Sequence, residues 1–415
     1  MSHTARSASS LGIVLACVIG TMAIGSASKQ PCALGEWGDL RQYRRLCYTD
    51  VVPLLDTEQL RGPRLPFLDE CTPVEGRNCD EYPVVTMYVM RVAAWISGDD
   101  YAPFFWVNAL LLTGFATAIA VMLYVANGAR ALYFALAPTL LVYGTVNWDL
   151  VAVALATAGL LSFFVRRDRA AGAALGVGAA TKLYPALLVV PLIAQRIRER
   201  RPDGAIVLGW TTVGAWLVAN LPFAVLAPTA WLTFFRFNGE RTADFDSLWY
   251  IACRHTEVCL STRAINVWSF AIFLGVSAAV WAIKARRHPS FPRWTLGLPL
   301  LVVFLLSNKV YSPQYGLWLL PWFALVLPRL WLFLAFSAAD VAVFVTRFTW
   351  FGRLQGAPGA SQDLFEVMVL LRAAVLVWCV VTWIRREAEP LEIETRRPLE
   401  APATEPPAAM APAHG

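Results

Sequence analysis

Charge is scarce in this chain. Only 15% of its 415 residues are Asp, Glu, Lys or Arg, where soluble globular proteins carry about a quarter. With 57% hydrophobic residues and a mean hydropathy of +0.52, a water-soluble globule is excluded. Histidine is equally sparse, with four in all, and no Cys-x-x-Cys pair or His–Cys cluster has zinc spacing. A metal site is therefore not expected. There is no Walker lysine motif and no G-x-G-x-x-G, so nothing points to nucleotide binding or to a cofactor. Heptads and tandem repeats are absent too. The net charge of +6 is modest and its arginines cluster between hydrophobic segments, which speaks for membrane topology and against nucleic acid.

Aromatic residues and long apolar runs dominate what is present. Seventeen Trp and twelve Tyr suit a protein that lines two membrane–water interfaces. Residues 1–10 are polar and Leu11 to Ala27 is apolar. The small-residue stretch Ala23 to Ala27 has the look of a cleavage site, but the many later spans favour a retained first helix with its N-terminus inside. Further apolar stretches lie at 84–97, 101–126, 131–145, 149–165, 170–182, 184–195, 204–226, 264–283, 295–307, 313–328, 330–346 and 363–384.

Basic clusters mark inner turns: Arg166 to Arg169, Arg196 to Arg201, Lys284 to His288, and Arg385-Arg386. With the N-terminus inside, they fall inside only if 84–97 does not cross. That segment also carries Arg91, and fourteen helical residues reach about 21 Å against a hydrocarbon core of about 30 Å. The expectation is an all-α polytopic membrane protein with twelve crossings and an interfacial helix at 84–97. Residues 1–386 form one domain, and the Pro-, Ala- and Glu-rich end at 387–415 is a disordered cytoplasmic tail.

Two polar loops face outward on this count, 30–82 after the first helix and 227–262. The first is too long for a simple connection, and long loops carry function or shield helix ends. Six of the eight cysteines lie in these loops, as an oxidising exterior favours. Short closure favours Cys71–Cys79 and Cys253–Cys259, which leaves Cys32–Cys47. Arg236, Arg241 and Arg254 in the second loop run against the orientation rule, as they would if an anionic ligand bound there. The pieces 170–182 and 184–195 are too short for upright crossings. Lys182 at their junction either snorkels or serves function.

Four stretches in order carry a resemblance: Cys47-Tyr48-Thr49-Asp50-Val51, Glu81-Tyr82-Pro83-Val84, Thr181-Lys182-Leu183-Tyr184-Pro185, and Lys309-Val310-Tyr311-Ser312-Pro313-Gln314-Tyr315 with Trp318 and Pro321. Arg241 followed by Asp246-Ser247-Leu248-Trp249 is a looser match. Together they resemble a bacterial member of glycosyltransferase family 87, within the GT-C class of integral-membrane glycosyltransferases. Met87 stands where a glycine is expected, a departure that bears on local packing rather than on class.

The resemblance implies a GT-C-like fold in the plasma membrane with its active site on the outer face. It implies a polyprenyl-phosphate sugar as donor, mannose or a pentose such as arabinose as the sugar, and a lipid-linked or envelope glycan as acceptor. It also implies a catalytic acid in the first outer loop, which maps to Asp50. The residues make chemical sense of this. A phosphate leaving group gains charge as the glycosidic bond breaks, and cations stabilise it; Lys182, Lys309 and Arg241 are the candidates. The acceptor hydroxyl needs a base, Asp50 before Asp39, Asp149 and Glu81.

Bland readings stand beside these. Asp50 or Asp149 could cap a helix, and Glu81 could orient the loop against Arg91. Gln314 and Tyr315 could bind sugar, as could Tyr82, Tyr184 and Asp246, or could satisfy the backbone before Pro313. The rival function is a transporter or flippase for an anionic or lipid-linked substrate, whose fold usually shows two halves with matching interruptions.

Overall fold

The computed structural model describes residues 3–72 and 79–395, and all its regular structure is helical. Six segments are long and apolar enough to cross a bilayer unaided: Ser10–Cys32, Tyr101–Ala135, Pro202–Leu226, Thr262–Arg287, Leu330–Leu354 and Gln362–Arg385. The chain is thus a multi-pass membrane protein. The first helix is built into it, with Val14, Val18 and Met22 fully buried and Gly25 against the Leu141 backbone.

The remaining expected crossings are short or broken. They comprise Pro138–Tyr143, Asp149–Phe164, Asp168–Ala179 and Val189–Arg198, with Gly297–Ser307 and Leu320–Leu325. Prolines set several breaks: Pro185 and Pro313 each open a tight 3₁₀ stretch, Tyr184–Leu188 and Pro313–Leu319, because proline cannot donate to the preceding turn. A 12-residue helix such as Asp168–Ala179 reaches only about 18 Å. The junctions at Val146-Asn147, Lys182-Leu183 and Asn308 to Ser312 line one cavity.

One pair of helices sets the depth of that cavity. Gly172 of the Asp168–Ala179 helix abuts Thr211 and the Leu208 carbonyl, and Gly176 abuts the Thr212 carbonyl and Ala215. Small residues four apart let two helix backbones approach closely, and this contact fixes where the chain emerges at Lys182. Gly176→Leu should lower stability by roughly 1–3 kcal/mol through overpacking, read as a fall in thermal midpoint in detergent. An unchanged midpoint would mean the two helices do not meet there.

Several expectations are corrected. The 227–262 stretch is not a loop but two helices, Pro228–Glu240 and Leu248–Thr256, the second capped by the Ser247 hydroxyl. Its apolar and polar residues recur at helical spacing. Arg254 pairs at 2.7 Å with both Asp363 and Glu366, and Arg236 is exposed; neither lines the cavity described below. The chain just past residue 386 is ordered: Glu389 bridges Arg130 and Arg329 at 2.7 and 2.9 Å, and Leu391 is fully buried. Residues 396–415 of the expected tail, and 73–78 of the first loop, lie outside the described residues.

The segment expected as an interfacial helix is the helix Val84–Ser97. Arg91, buried within it, donates to the carbonyls of Leu60 and Gly62. Met87 is fully buried in the core, so the departure from glycine is accommodated by packing.

Candidate active site

All three anticipated disulfides are present: Cys32–Cys47, Cys71–Cys79 and Cys253–Cys259. The first pins the segment that carries Asp50. Two further contacts complete the anchoring. The Asp50 N–H donates to the Val146 carbonyl at 2.8 Å, and the Thr49 hydroxyl donates to the Thr145 carbonyl at 2.8 Å. Asp50 thereby sits at the N-cap position of the Val51–Thr57 helix, yet its side chain makes no capping bond. Its carboxylate turns instead into a cavity of about 670 Å³.

There it accepts from the Tyr48 hydroxyl at 2.7 Å on one oxygen and from the Asn147 amide at 2.9 Å on the other. The same amide reaches the Tyr82 hydroxyl at 2.9 Å. A carboxylate offers about four lone-pair sites, so acceptor capacity remains for an incoming hydroxyl while the side chain is held in one rotamer.

Cations face the cavity from other elements. Arg241, at the end of the Pro228–Glu240 helix, pairs with Asp244 at 2.8 Å. Arg347, from the Leu330–Leu354 helix, pairs with Asp244 at 3.3 Å and Asp246 at 3.0 Å. Lys309 donates to the Gly239 carbonyl at 3.0 Å, and the Asp244 N–H donates to the Lys309 carbonyl at 2.8 Å. Two of these cations thus share the cavity-lining Asp244 carboxylate, and the Lys309 ammonium lies near Arg241 on the same cavity, a local excess of positive charge suited to an anion. Burial opposes ionisation of Asp244, but Arg347 and Arg241 outweigh it and hold its carboxyl below the usual range. Burial, then Arg241, lowers the Lys309 ammonium.

Lys182 forms a separate group. Its ammonium lies 3.5 Å from the buried Asp149 carboxylate and about equally far from the rings of Tyr82 and Tyr315, 5.5 and 5.4 Å. Asp149 also accepts from the Trp318 indole at 2.7 Å, and Trp318 is stacked between Tyr184 at 4.3 Å and Tyr315 at 4.1 Å. Lys182 therefore does not snorkel. Asp149 is not a water-facing cap: it is fully buried, and Trp148 holds the cap position.

The structure gathers Asp50, Glu81, Tyr82, Lys182, Tyr184, Arg241, Lys309, Gln314 and Tyr315 along one cavity wall or another. Besides the buried Asp149, two expected residues lie elsewhere. Asp39 is half exposed and paired with Arg41 at 2.8 Å. Asp246 is fully buried behind the cavity between Arg347 and, at 3.9 Å, Arg372, and burial ahead of these arginines pushes its carboxyl up to about 6. It positions Arg347 rather than touching the cavity. Sequence reasoning missed Arg347 and Asp244, and gave no role to Asn147 or to Tyr48 of the Cys47–Val51 stretch. For Arg347 a signal existed, because an arginine inside an apolar helix is a functional candidate by default.

A buried carboxyl braces the outer wall. Glu58 accepts the N–H groups of Asp80 at 2.6 Å and Glu81 at 3.3 Å, fixing the turn that presents Tyr82. Burial pushes it up to about 8 from 4.5, the N–H bond from Asp80 opposing this. A carboxyl raised on folding keeps its proton longer in the native state, so its contribution is greatest below the unfolded value and is lost as pH rises toward about 8. The thermal midpoint should fall across that window, and Glu58→Gln should flatten the fall. A slope unaltered by Glu58→Gln would assign it to other groups.

The family model described as Glycosyltransferase family 87 matches residues 81–313. No curated protein sequence matches the chain. Among solved structures, ArnT from Cupriavidus metallidurans bound to undecaprenyl phosphate is similar at 14% identity. That match covers 92% of this chain and 77% of that one, with a TM-score of 0.44. ArnT from Cupriavidus metallidurans in the apo state is similar at 15% identity over 92% and 76%, with a TM-score of 0.41.

Proposed function

The chain belongs to glycosyltransferase family 87, whose model spans more than half of it, and from that premise we propose that it transfers a sugar from a polyprenyl-phosphate donor to a glycan acceptor. The sugar is mannose or a pentose such as arabinose, and the acceptor is a lipid-linked or envelope glycan. One observation carries the reading: a carboxylate held by two donors and a three-cation cluster share one cavity. Such a pair of features serves a reaction in which a hydroxyl loses a proton while a phosphate leaves.

In this reading Asp50 takes the proton of the acceptor hydroxyl as its oxygen attacks the anomeric carbon. The bond from that carbon to the phosphate oxygen breaks, and the electron pair stays on the phosphate, where Arg241, Lys309 and Arg347 stabilise it. Attack from the side opposite the phosphate inverts the anomeric centre. Lys182, part-neutralised by Asp149, completes the cationic lining. The stacked Tyr315, Trp318 and Tyr184 rings form an apolar platform for a sugar face.

The bridge from Cys32 to Cys47 borders Asp50, and Cys79 lies close before Glu81. Disulfides persist in oxidising surroundings, which supports a plasma-membrane enzyme whose site faces outward. Purified protein incubated with a panel of polyprenyl-phosphate sugars and a glycolipid acceptor should release polyprenyl phosphate. Hydrolysis-free transport of intact donor across sealed vesicles, with no release, would replace this reading by a flippase.

A further inference from the structure

Behind the cation side of the cavity the chain buries further charges that the reaction does not touch. Arg372 lies near the middle of the Gln362–Arg385 helix and is fully buried. An arginine at such a depth is costly and marks function by default. Its guanidinium faces two carboxylates, Asp340 at 3.2 Å and Asp246 at 3.9 Å. Neither Arg372 nor Asp340 lines the cavity.

The fold makes room for this pair. A Cβ at Gly316 would strike the Asp340 carboxylate, and the Thr139 hydroxyl donates to that carboxylate at 3.2 Å. Asp340 and Arg347 belong to the same helix, Leu330–Leu354, and stand about 10 Å apart along one face of it. Two lines of contact lead from Arg372 to the cations of the cavity. One passes through Asp246 to Arg347, 3.0 Å from that carboxylate. The other passes through the Tyr311 ring, 3.7 Å beneath the Arg372 guanidinium, to the turn that carries Lys309.

The first line has an electrostatic consequence. Asp246 is shared between two arginines, so Arg347 does not neutralise it alone. Its guanidinium is left to reach Asp244 at the cavity, 3.3 Å away. Without Arg372 the whole charge of Asp246 would fall on Arg347 and draw it back from the cavity, because a buried carboxylate short of countercharge is strongly destabilising.

We infer that Arg372 is a positioning residue of the donor site: braced by Asp340, it shares Asp246 with Arg347 and so keeps Arg347 facing the donor phosphate. The inference rests on the proposed donor class and adds a residue that acts on the phosphate from outside the cavity.

The test uses Arg372→Gln combined with Asp340→Asn, which removes both members of the buried pair and strands neither. In nanodiscs, affinity for undecaprenyl phosphate should fall roughly three- to tenfold. The donor KM should rise in step, with the acceptor KM at its wild-type value. Adding Arg347→Lys should then cost less affinity than it does in the wild type, because the effect of Arg372 passes through Arg347 and coupled residues are not additive. A merely structural role would lower the thermal midpoint and the active fraction, and would leave the two effects additive.

If the double variant does not fold, Arg372→Lys serves in its place. It keeps a charge against Asp340, loses the fork that also reaches Asp246, and should shift the same quantities in the same direction. Wild-type affinity in a folded variant, or effects additive with Arg347→Lys, overturns the role of Arg372 and leaves the donor class intact. A wild type that binds no undecaprenyl phosphate overturns the donor class, and this inference with it.

Discussion

Asp50→Asn should abolish turnover while leaving the fold and donor binding nearly intact. The substitution keeps the side chain's size, and the amide oxygen can still accept from Tyr48 or Asn147. What it removes is the capacity to take a proton. A positioned general base contributes about a hundred- to ten-thousandfold in rate, so the loss falls on kcat rather than on donor affinity. Steady-state kinetics with a polyprenyl-phosphate sugar, alongside binding of undecaprenyl phosphate, separates the two. An active Asp50→Asn enzyme would move the base elsewhere. The structure has already narrowed that choice, because Asp39 lies outside the cavity and Asp149 is buried against Lys182 and Trp318.

The second large effect is expected at the cations. Lys309→Met removes one positive charge at small structural cost, since its ammonium bonds to a carbonyl rather than to a buried carboxylate. Hydrogen bonds to charged groups are worth about 1.5–3 kcal/mol, so the donor KM should rise by roughly ten- to a hundredfold. The phosphate is charged before and after bond breaking, and binding of undecaprenyl phosphate alone should weaken with it. Arg347 calls for a gentler change. Removing it would leave Asp246 buried with only Arg372 nearby, and an uncompensated buried charge is strongly destabilising. Arg347→Lys retains the charge and loses the planar fork, so a smaller rise in KM is expected. Variants that lower kcat with KM unchanged would mean that these cations do not meet the donor in its ground state.

How much of this was legible in the sequence depends on the range of the interaction concerned. Apolar length and periodicity are local, and each expected crossing corresponds to a helix or a broken helix. The disulfides were legible for a related reason, because closure over short separations is cheapest and all six loop cysteines pair accordingly. The Lys182 and Lys309 turns announce themselves as cations between short apolar pieces. Positive charge with no local rationale also drew attention to Arg241.

The rest depends on long-range packing. Nothing near Asp149 in sequence reveals Trp318, 169 positions away, so its burial could not be read. Asp246 matched a motif, but only the approach of Arg347 and Arg372 from two distant helices shows that it stands behind the cavity. Arg347 stood out as an arginine in an apolar helix, but its partners Asp244 and Asp246, about a hundred positions away, could not be read. The 227–262 stretch looked like a loop because its polar residues interrupt the apolar count, although each half is amphipathic and folds as a short helix, the first of them lining the cavity.

The most direct measurement is a structure of Asp50→Asn with undecaprenyl phosphate bound in a nanodisc. The phosphate should lie within about 3 Å of at least one of Arg241, Lys309 and Arg347, as charge-assisted hydrogen bonds require. Residue 50 should face it across the cavity, with space between for a sugar. Phosphate density outside this cavity, or lodged on the Asp50 side away from the three cations, would contradict the account.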